Sequence, residues 1–121
     1  MEWLRLMDFI TYQKKAIHTA LYPYKGDNLV YPALKLNGEA GEVADLIGKW
    51  IRDKGYWPGN NNKPNGFMAD TLVDELGDVL WYISALATEL HVDLEYVAQN
   101  NLNKLADRQN RGKIHGSGDK R

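Results

Sequence analysis

Apolar residues recur at three- and four-residue spacing in four stretches of the chain, a pattern that predicts four amphipathic helices. We expect the first helix over about residues 2–21. The second should run from about Pro32, a residue suited to the first helical turn, to about Asp53. No segment alternates convincingly in the way that a half-buried strand would. The pattern therefore predicts one all-α domain over residues 1–121, most simply a four-helix bundle.

The segments outside these stretches are rich in residues that interrupt helices. The sequence GYWPGNNNKPNG predicts a loop insert at about residues 54–69, because its glycines, prolines and asparagines do not support a regular helix. The third helix can then be capped by Asp70 or Thr71, and the fourth by Asp93. The polar, glycine-rich ending at about residues 109–121 predicts either a frayed tail or a loop that a ligand orders.

The composition adds limits on the class of protein. With 44% hydrophobic and 26% charged residues, the chain resembles an ordinary soluble globular protein. It has no cysteine, which excludes disulfides, thiolate metal sites and a cysteine nucleophile. No apolar run approaches the ~20 residues that a bilayer span needs. The N-terminus is too short and too charged for a signal peptide. We therefore expect a cytoplasmic protein without a membrane partner.

The net charge of −1 conceals two blocks of opposite sign. Between Lys63 and Lys104 the chain carries seven acids and neither lysine nor arginine. From Lys104 to Arg121 it carries six bases and two acids. A near-neutral total therefore does not argue against an anionic ligand.

Two pairs of carboxylates stand at i, i+3 spacing on the second and third predicted helices. They are Glu39 with Glu42, and Glu75 with Asp78. Both members of such a pair point to the same side of a helix. If the two faces meet, the four carboxylates repel one another unless a divalent cation such as Mg²⁺ joins them. One such pair taken alone is better explained as solvated surface charge, but the acids lie next to the apolar stripe and a matching pair recurs on the next helix, which favours a site. Lys35 lies one turn before the first pair.

Basic residues gather on and after the fourth predicted helix. Asn101, Lys104 and Arg108 share one face, and Arg111 and Lys113 follow them. Arginine and lysine beside a carboxylate-bound cation are what a polyphosphate requires. The alternative is that these charges complement the helix dipole and are followed by a solvated tail, and for Lys120 and Arg121 we prefer that interpretation.

Other metal and nucleotide sites are excluded by spacing. None of the three histidines follows a glutamate by three residues, as a di-iron bundle requires. The chain has no G-x-x-x-x-G-K-[ST] loop, so it is not a P-loop NTPase.

The segments KLNGEAGEVADLIGKWIRDKG and TLVDELGDVLWYISALATEL resemble the MazG-type all-α nucleoside triphosphate pyrophosphohydrolases, relatives of dimeric dUTPases and dCTP pyrophosphatases. The shared signature is E-x-x-E, a spacer, then E-x-x-D, and it falls on Glu39, Glu42, Glu75 and Asp78. The likeness covers nearly the whole chain, and the ending NLNKLADRQNRGKIHGSGD is similar to that of short phage and bacterial members. If the protein is phage-encoded, the cytoplasm in which we expect it is that of the host. The spacer, residues 43–74, is longer than usual, so the insert could border a base pocket.

The resemblance implies a hydrolase that depends on Mg²⁺ or Mn²⁺, with two to three ions at the four carboxylates. It would cleave an NTP or dNTP between the α and β phosphates, giving the monophosphate and pyrophosphate. Glu39 or Glu42 would be the catalytic base that accepts a proton from the attacking water. It further implies a homodimer or homotetramer. The phosphate- and nucleotide-binding residues would be Lys35, Tyr82, Asn101, Lys104, Arg108, Arg111 and Lys113.

The substrate and the reaction leave alternatives open. Some phage MazG-like proteins act on guanine nucleotides, which makes (d)GTP the leading substrate. Stepwise release of orthophosphate and a non-catalytic nucleotide-binding module are the alternatives. A third possibility is binding of nucleic acid through the basic ending. Six bases are few for that task and the acidic block would repel a phosphate backbone, so we expect no nucleic-acid partner.

Overall fold

A computed structural model describes residues 6–59 and 63–121 of the chain. Within these ranges the chain forms α-helices and no strand, which confirms the predicted all-α class. No helix in them is long and apolar enough to serve as a membrane span. The helices are α1 (Phe9–Ala16), α2 (Val30–Lys54), α3 (Gly66–Glu89) and α4 (Leu94–Asn110), with one 3₁₀ turn (Ile17–Thr19) after α1.

The first helix is shorter than the predicted span of residues 2–21, whose first four residues lie outside the described ranges. The Asp8 carboxylate accepts a hydrogen bond of 2.7 Å from the Thr11 amide and so caps α1 at its start. The 3₁₀ turn then ends the helix, and the backbone of Ala20 is extended. Leu21, the last residue of the predicted span, lies outside the helix and is 94% exposed.

The third helix begins five or six residues earlier than predicted. The Asn65 side chain accepts a hydrogen bond of 2.8 Å from the Met68 amide, and this cap starts α3 inside the predicted insert. The predicted cap at Asp70 or Thr71 is therefore wrong, and both residues lie within the helix. The predicted loop of residues 54–69 is correspondingly shorter.

The start of α4 is held by a side chain from α1. Asp93 occupies the N-cap position, as predicted, but its side chain makes no capping bond. Instead, Oε1 of Gln13 accepts a hydrogen bond of 2.8 Å from the Leu94 amide. The Gln13 amide nitrogen donates to Thr88 Oγ1 at 3.1 Å and to the Val92 carbonyl at 3.0 Å. One glutamine thus joins α1 to the turn between α3 and α4.

Helix α3 is central to the arrangement. The helices α1, α2 and α4 all pack against it, and α2 packs against neither α1 nor α4 within the described ranges. The buried core cluster contains Ala20, Tyr22 and Ala85, with Ile17 and Trp81 partly buried against it. The two long helices α2 and α3 therefore pack as a pair on one side of the fold, and this pair carries both predicted carboxylate pairs.

A buried carboxylate near the end of α3 holds the segment between the 3₁₀ turn and α2. Glu89 is 6% exposed and accepts hydrogen bonds from the Tyr22 hydroxyl at 2.5 Å, the Gly26 amide at 2.8 Å and the Asn28 amide at 3.3 Å. Burial alone would raise the pKa of Glu89. The three hydrogen bonds outweigh that effect and hold the pKa below its usual value.

We expect the contribution of Glu89 to stability to depend on pH. Because its pKa is lower in the folded chain than in the unfolded chain, the contribution is present above about pH 4.3 and is lost as the pH falls through the folded-state pKa. Glu89→Gln should lower the free energy of unfolding by about 1–3 kcal/mol at pH 7. Urea unfolding of both proteins between pH 7 and pH 3 measures the difference. A difference that does not shrink at low pH would contradict this account.

Candidate functional site

Three carboxylates from two helices converge between α2 and α3. Glu39 of α2 and Glu75 and Asp78 of α3 each offer an oxygen atom, and these atoms all lie within 4.8 Å of one another. We call these three residues the carboxylate cluster. The i, i+3 spacing places Glu75 and Asp78 on one side of α3, and the packing of α2 along α3 brings Glu39 to them. The fourth predicted ligand, Glu42, lies outside this group of three but close enough to Glu39 and Glu75 to raise the pKa of both.

The cluster is costly to keep in the charged state. Burial and then the charges of Glu42 and Asp78 raise the pKa of Glu39, while nearby Lys35 opposes the change. Burial and then the contact with Glu42 likewise raise the pKa of Glu75. Oε2 of Glu39 and Oε2 of Glu75 are buried and have no hydrogen-bond partner. A polar atom in that state lacks the compensation that buried polar groups normally receive.

A hard divalent cation fits this donor set. Mg²⁺ and Mn²⁺ prefer carboxylate oxygens, and a cation would supply the partner that the two buried oxygens lack. It would also offset the repulsion among like charges. The donors present are therefore those of a metal centre for an oxygen-binding cation, and histidine and cysteine take no part in the cluster.

A cavity of about 530 Å³ lies against the cluster. Glu39 and Asp78 form part of its lining, which places the carboxylates at its edge. This volume falls within the range of small-molecule sites. The remainder of the lining comes from the 3₁₀ turn, the segment after it, the start of α2 and the middle of α3, through Thr19, Leu21, Tyr22, Pro23, Tyr31, Trp81 and Tyr82.

The aromatic side chains of the cavity contact one another. Tyr22 and Tyr31 are stacked, with ring centroids 5.3 Å apart, and Tyr31 lies 6.5 Å from Tyr82. The ring of Trp81 meets Tyr82 edge to face at 4.8 Å. The indole nitrogen of Trp81 donates a hydrogen bond of 2.8 Å to Thr19. These rings offer flat apolar faces of the kind on which a nucleobase stacks.

The basic residues of α4 are occupied within this chain. Lys104 Nζ lies 3.1 Å from Asp119 Oδ1, and Arg108 Nη2 lies 3.3 Å from the same oxygen. Arg108 also donates to the Asp119 carbonyl at 2.8 Å, while Arg111 pairs with Asp107 at 2.8 Å. Over residues 6–59 and 63–121, none of these bases forms an ion pair with the carboxylate cluster. The guanidinium of Arg108 is nevertheless buried, and its Nε has no partner.

Comparison with known proteins places the chain in a family. The family model of the MazG nucleotide pyrophosphohydrolase domain matches residues 32–112. This chain belongs to the MazG family. The Gene 37 protein of Mycobacterium phage L5 is 46% identical over 115 residues, covering 91% of this chain and 96% of that protein. No solved structure matches. The matched range contains all four predicted carboxylates.

The tail of this MazG protein forms a loop that is closed by hydrogen bonds of a single side chain. The Arg121 guanidinium donates to the carbonyls of Lys113, Gly118 and Ile114 at 2.7–3.1 Å, so residues 113–121 close around it. Gly116 has φ +151°, and a Cβ there would lie 2.8 Å from Cδ of Arg121. The interpretation of Arg121 as a solvated tail charge is therefore wrong, because its side chain organises the loop.

The structure brings together some of the predicted site residues of the MazG domain and leaves others apart. The cluster, Glu42, Lys35 and Tyr82 lie near one another. Asn101 is exposed on α4, and Lys113 lies in the tail loop. The residues that the sequence analysis did not single out are Thr19, Tyr22, Tyr31 and Trp81 of the cavity, Glu89, and Asp119.

A local signal existed for only some of the missed residues. For Trp81 the residue type is a weak signal, because a tryptophan can stack on a base but is more often a core residue. Asp119 pairs with bases 11 and 15 residues earlier across a glycine-rich loop, and no periodic pattern predicts such a contact. Tyr12, half-buried on α1, was also missed. Burial and then the charge of Asp78 raise its pKa, so it lies near the cluster.

Proposed function

We propose that this MazG domain hydrolyses a nucleoside triphosphate between the α and β phosphates, releasing the nucleoside monophosphate and pyrophosphate. One observation carries the proposal: a cluster of three carboxylates, two of them with a buried oxygen that has no partner, lies against an aromatic cavity. A divalent cation would bind the carboxylates, and a nucleobase would bind in the aromatic cavity. A nucleotide polyphosphate joins the two, since its phosphates extend from the base and bind divalent cations.

The four carboxylates have complementary roles in this proposal. Glu39, Glu42, Glu75 and Asp78 would hold Mg²⁺ or Mn²⁺, two to three ions per site. When bound, the cations offset phosphate charge and lower the pKa of water. Glu39 or Glu42 would accept the proton of the attacking water. Of the two variants Glu39→Gln and Glu42→Gln, the one that keeps Mn²⁺ affinity while losing turnover identifies the base.

The remaining residues would bind and orient the substrate. The rings around the cavity would stack on the base and exclude water from one side of it. Tyr82 lines the cavity together with Glu39 and Asp78, which supports a role in which its hydroxyl would donate a hydrogen bond to a phosphate. Lys35 adds a positive charge beside Glu39. Asn101, Lys104, Arg108, Arg111 and Lys113 would bind phosphates, which requires Lys104, Arg108 and Arg111 to exchange their present carboxylate partners for the substrate.

The nucleotide that we propose to test first is (d)GTP. The experiment incubates the purified protein with each of the eight common NTPs and dNTPs in Mg²⁺ or Mn²⁺ and identifies the products. Monophosphate with pyrophosphate supports the proposal. Orthophosphate would instead show stepwise release. Binding without release of monophosphate from any of the eight would identify a non-catalytic nucleotide-binding module.

We also propose that the MazG domain assembles as a homodimer or homotetramer. Large apolar side chains are exposed on three of its helices: Leu34 of α2 is 69% exposed, Val73 of α3 63% and Leu102 of α4 61%. An exposed apolar surface of this kind is typical of an association site. Because α2 packs only on α3 among the described elements, its other faces are available to a second copy.

A charge placed on α2 tests the assembly. In an isolated chain Leu34→Glu should be nearly neutral, since the side chain is mostly exposed. In an interface it would bury an unpaired charge and dissociate the oligomer. Light scattering after size exclusion measures the mass, and the exposed Lys35→Glu is the matched control. A wild-type chain that is monomeric at micromolar concentration would contradict the proposal.

A further inference from the structure

The wall of the cavity that follows the 3₁₀ turn has no regular secondary structure. Residues 20–29 form bends and turns, and this segment supplies Leu21, Tyr22 and Pro23 to the lining. Helical hydrogen bonds do not fix such a segment. Its position therefore depends on contacts that its side chains and amides make with the rest of the fold.

Glu89 provides the strongest of these contacts without entering the cavity. It is buried and does not line the cavity, yet its carboxylate accepts bonds from the hydroxyl of Tyr22 and the amides of Gly26 and Asn28. Three donors from one irregular segment converge on one side chain of α3. Hydrogen bonds to a charged acceptor are stronger than those between neutral groups. Glu89 therefore fixes the position of this wall of the cavity relative to α3.

Two routes lead from Glu89 to the rings of the cavity. In the first, the carboxylate fixes the Tyr22 hydroxyl, and the ring of Tyr22 stacks on Tyr31. In the second, the carboxylate accepts from the amide of Asn28, whose side-chain oxygen accepts from the amides of Val30 and Tyr31 at 3.1 and 3.0 Å. Both routes end on Tyr31, which lies next to Tyr82.

We propose that Glu89 is a positioning residue for the base-binding wall of the cavity, acting on nucleotide affinity through Tyr22 and Tyr31 without touching the nucleotide. This inference rests on the proposed function, because it takes the cavity as the base site. The proposal distinguishes binding of the base from binding of the polyphosphate. Affinity for the base should depend on Glu89. Affinity for the polyphosphate, which binds at the cluster and the basic residues, should not.

The test measures affinity for two probes by calorimetry with Mn²⁺ present, well below the unfolding temperature. The probes are the non-hydrolysable α,β-methylene analogue of dGTP, which carries a base, and inorganic tripolyphosphate, which does not. We expect Glu89→Gln to weaken the affinity for the analogue about tenfold. Tyr22→Phe keeps the ring but loses the hydroxyl, and we expect it to weaken the same affinity about threefold. Neither should change tripolyphosphate affinity by more than twofold.

Gln13→Ala is the matched structural control. It also removes a partly buried side chain that bonds to the end of α3, but Gln13 does not line this cavity. It should lower stability and leave both affinities unchanged. Equal weakening of both probes in Glu89→Gln, or no weakening of the analogue, would overturn the role of Glu89.

Failure of the proposed reaction gives a different result. If the wild-type protein binds the analogue but releases no monophosphate from any of the eight NTPs and dNTPs, the proposed reaction is wrong. The comparison of affinities then still tests the role of Glu89. A wild-type protein that binds the analogue no better than tripolyphosphate overturns the base site and the role of Glu89 with it.

Discussion

Glu75→Gln should reduce turnover by about 10³-fold while leaving the fold intact. The change keeps the size of the side chain but removes one of the charges that would hold the cation against the phosphates. Glu75 also has a buried oxygen without a partner and a pKa raised by burial and by its carboxylate neighbours. Removing its charge relieves that repulsion, so the midpoint of thermal unfolding without metal should be unchanged or higher.

Asp70→Asn is the matched control for this variant. Asp70 is an exposed acid of the same helix, about 140° around the axis from Glu75, and it does not belong to the cluster. It should keep wild-type turnover and Mn²⁺ affinity, both measured in parallel with thermal unfolding. Wild-type activity in Glu75→Gln would show that the site lies elsewhere. Loss of the fold in metal-free Glu75→Gln would show that the carboxylate is structural.

Arg108→Ala should lower kcat/KM by about 10²-fold, the loss expected when one charged donor to a transferring phosphate is removed. Arg108 is 4% exposed, and its guanidinium donates hydrogen bonds to Asp119. The Asp119 carboxylate thus occupies the position beside Arg108 in which another anion would bind. Under the proposed function, a substrate phosphate must replace that carboxylate. Asp119→Asn removes the competing charge but keeps the arginine, so it should lower KM severalfold or leave it unchanged.

Comparison of these two variants separates a phosphate ligand from an anchor of the tail. If Arg108 acts only by holding the tail, Asp119→Asn should also lose activity, although less than Arg108→Ala because it keeps the backbone carbonyl to which Arg108 donates. If Arg108 binds phosphate, only Arg108→Ala loses it. Steady-state kinetics on the best nucleotide of the product screen measures both. An Arg108→Ala protein with wild-type kcat/KM would contradict a role in phosphate binding.

The predictable part of the site is the part that local spacing encodes. Glu75 and Asp78 share a side of α3 whatever its exact ends, because their separation in sequence fixes their angle around the axis. Glu39 required one further step, the packing of α2 along α3, and the apolar stripes of both helices indicated it. The helix bounds were less predictable, because a cap such as Asn65 competes with other polar residues only a turn away.

The unpredicted part depends on contacts between distant residues. Glu89 bonds to residues 61–67 positions earlier, and the sequence around it shows only an acid near a helix end. Asp119 and Arg121 organise a loop whose glycines are compatible with many conformations. Such polar contacts follow from the completed fold and leave no periodic pattern in the sequence. The carboxylate cluster, in contrast, is visible in the sequence as i, i+3 spacing.

The bond between Gln13 and the Leu94 amide also connects two parts of the chain during folding. The first turn of α4 receives its side-chain cap only after α1 has docked, 81 residues away in sequence. Exchange of the Leu94 amide with deuterated water should therefore follow the undocking of α1, not the local fraying of α4. In Gln13→Ala that amide should exchange much faster, while amides in the middle of α4 keep most of their protection.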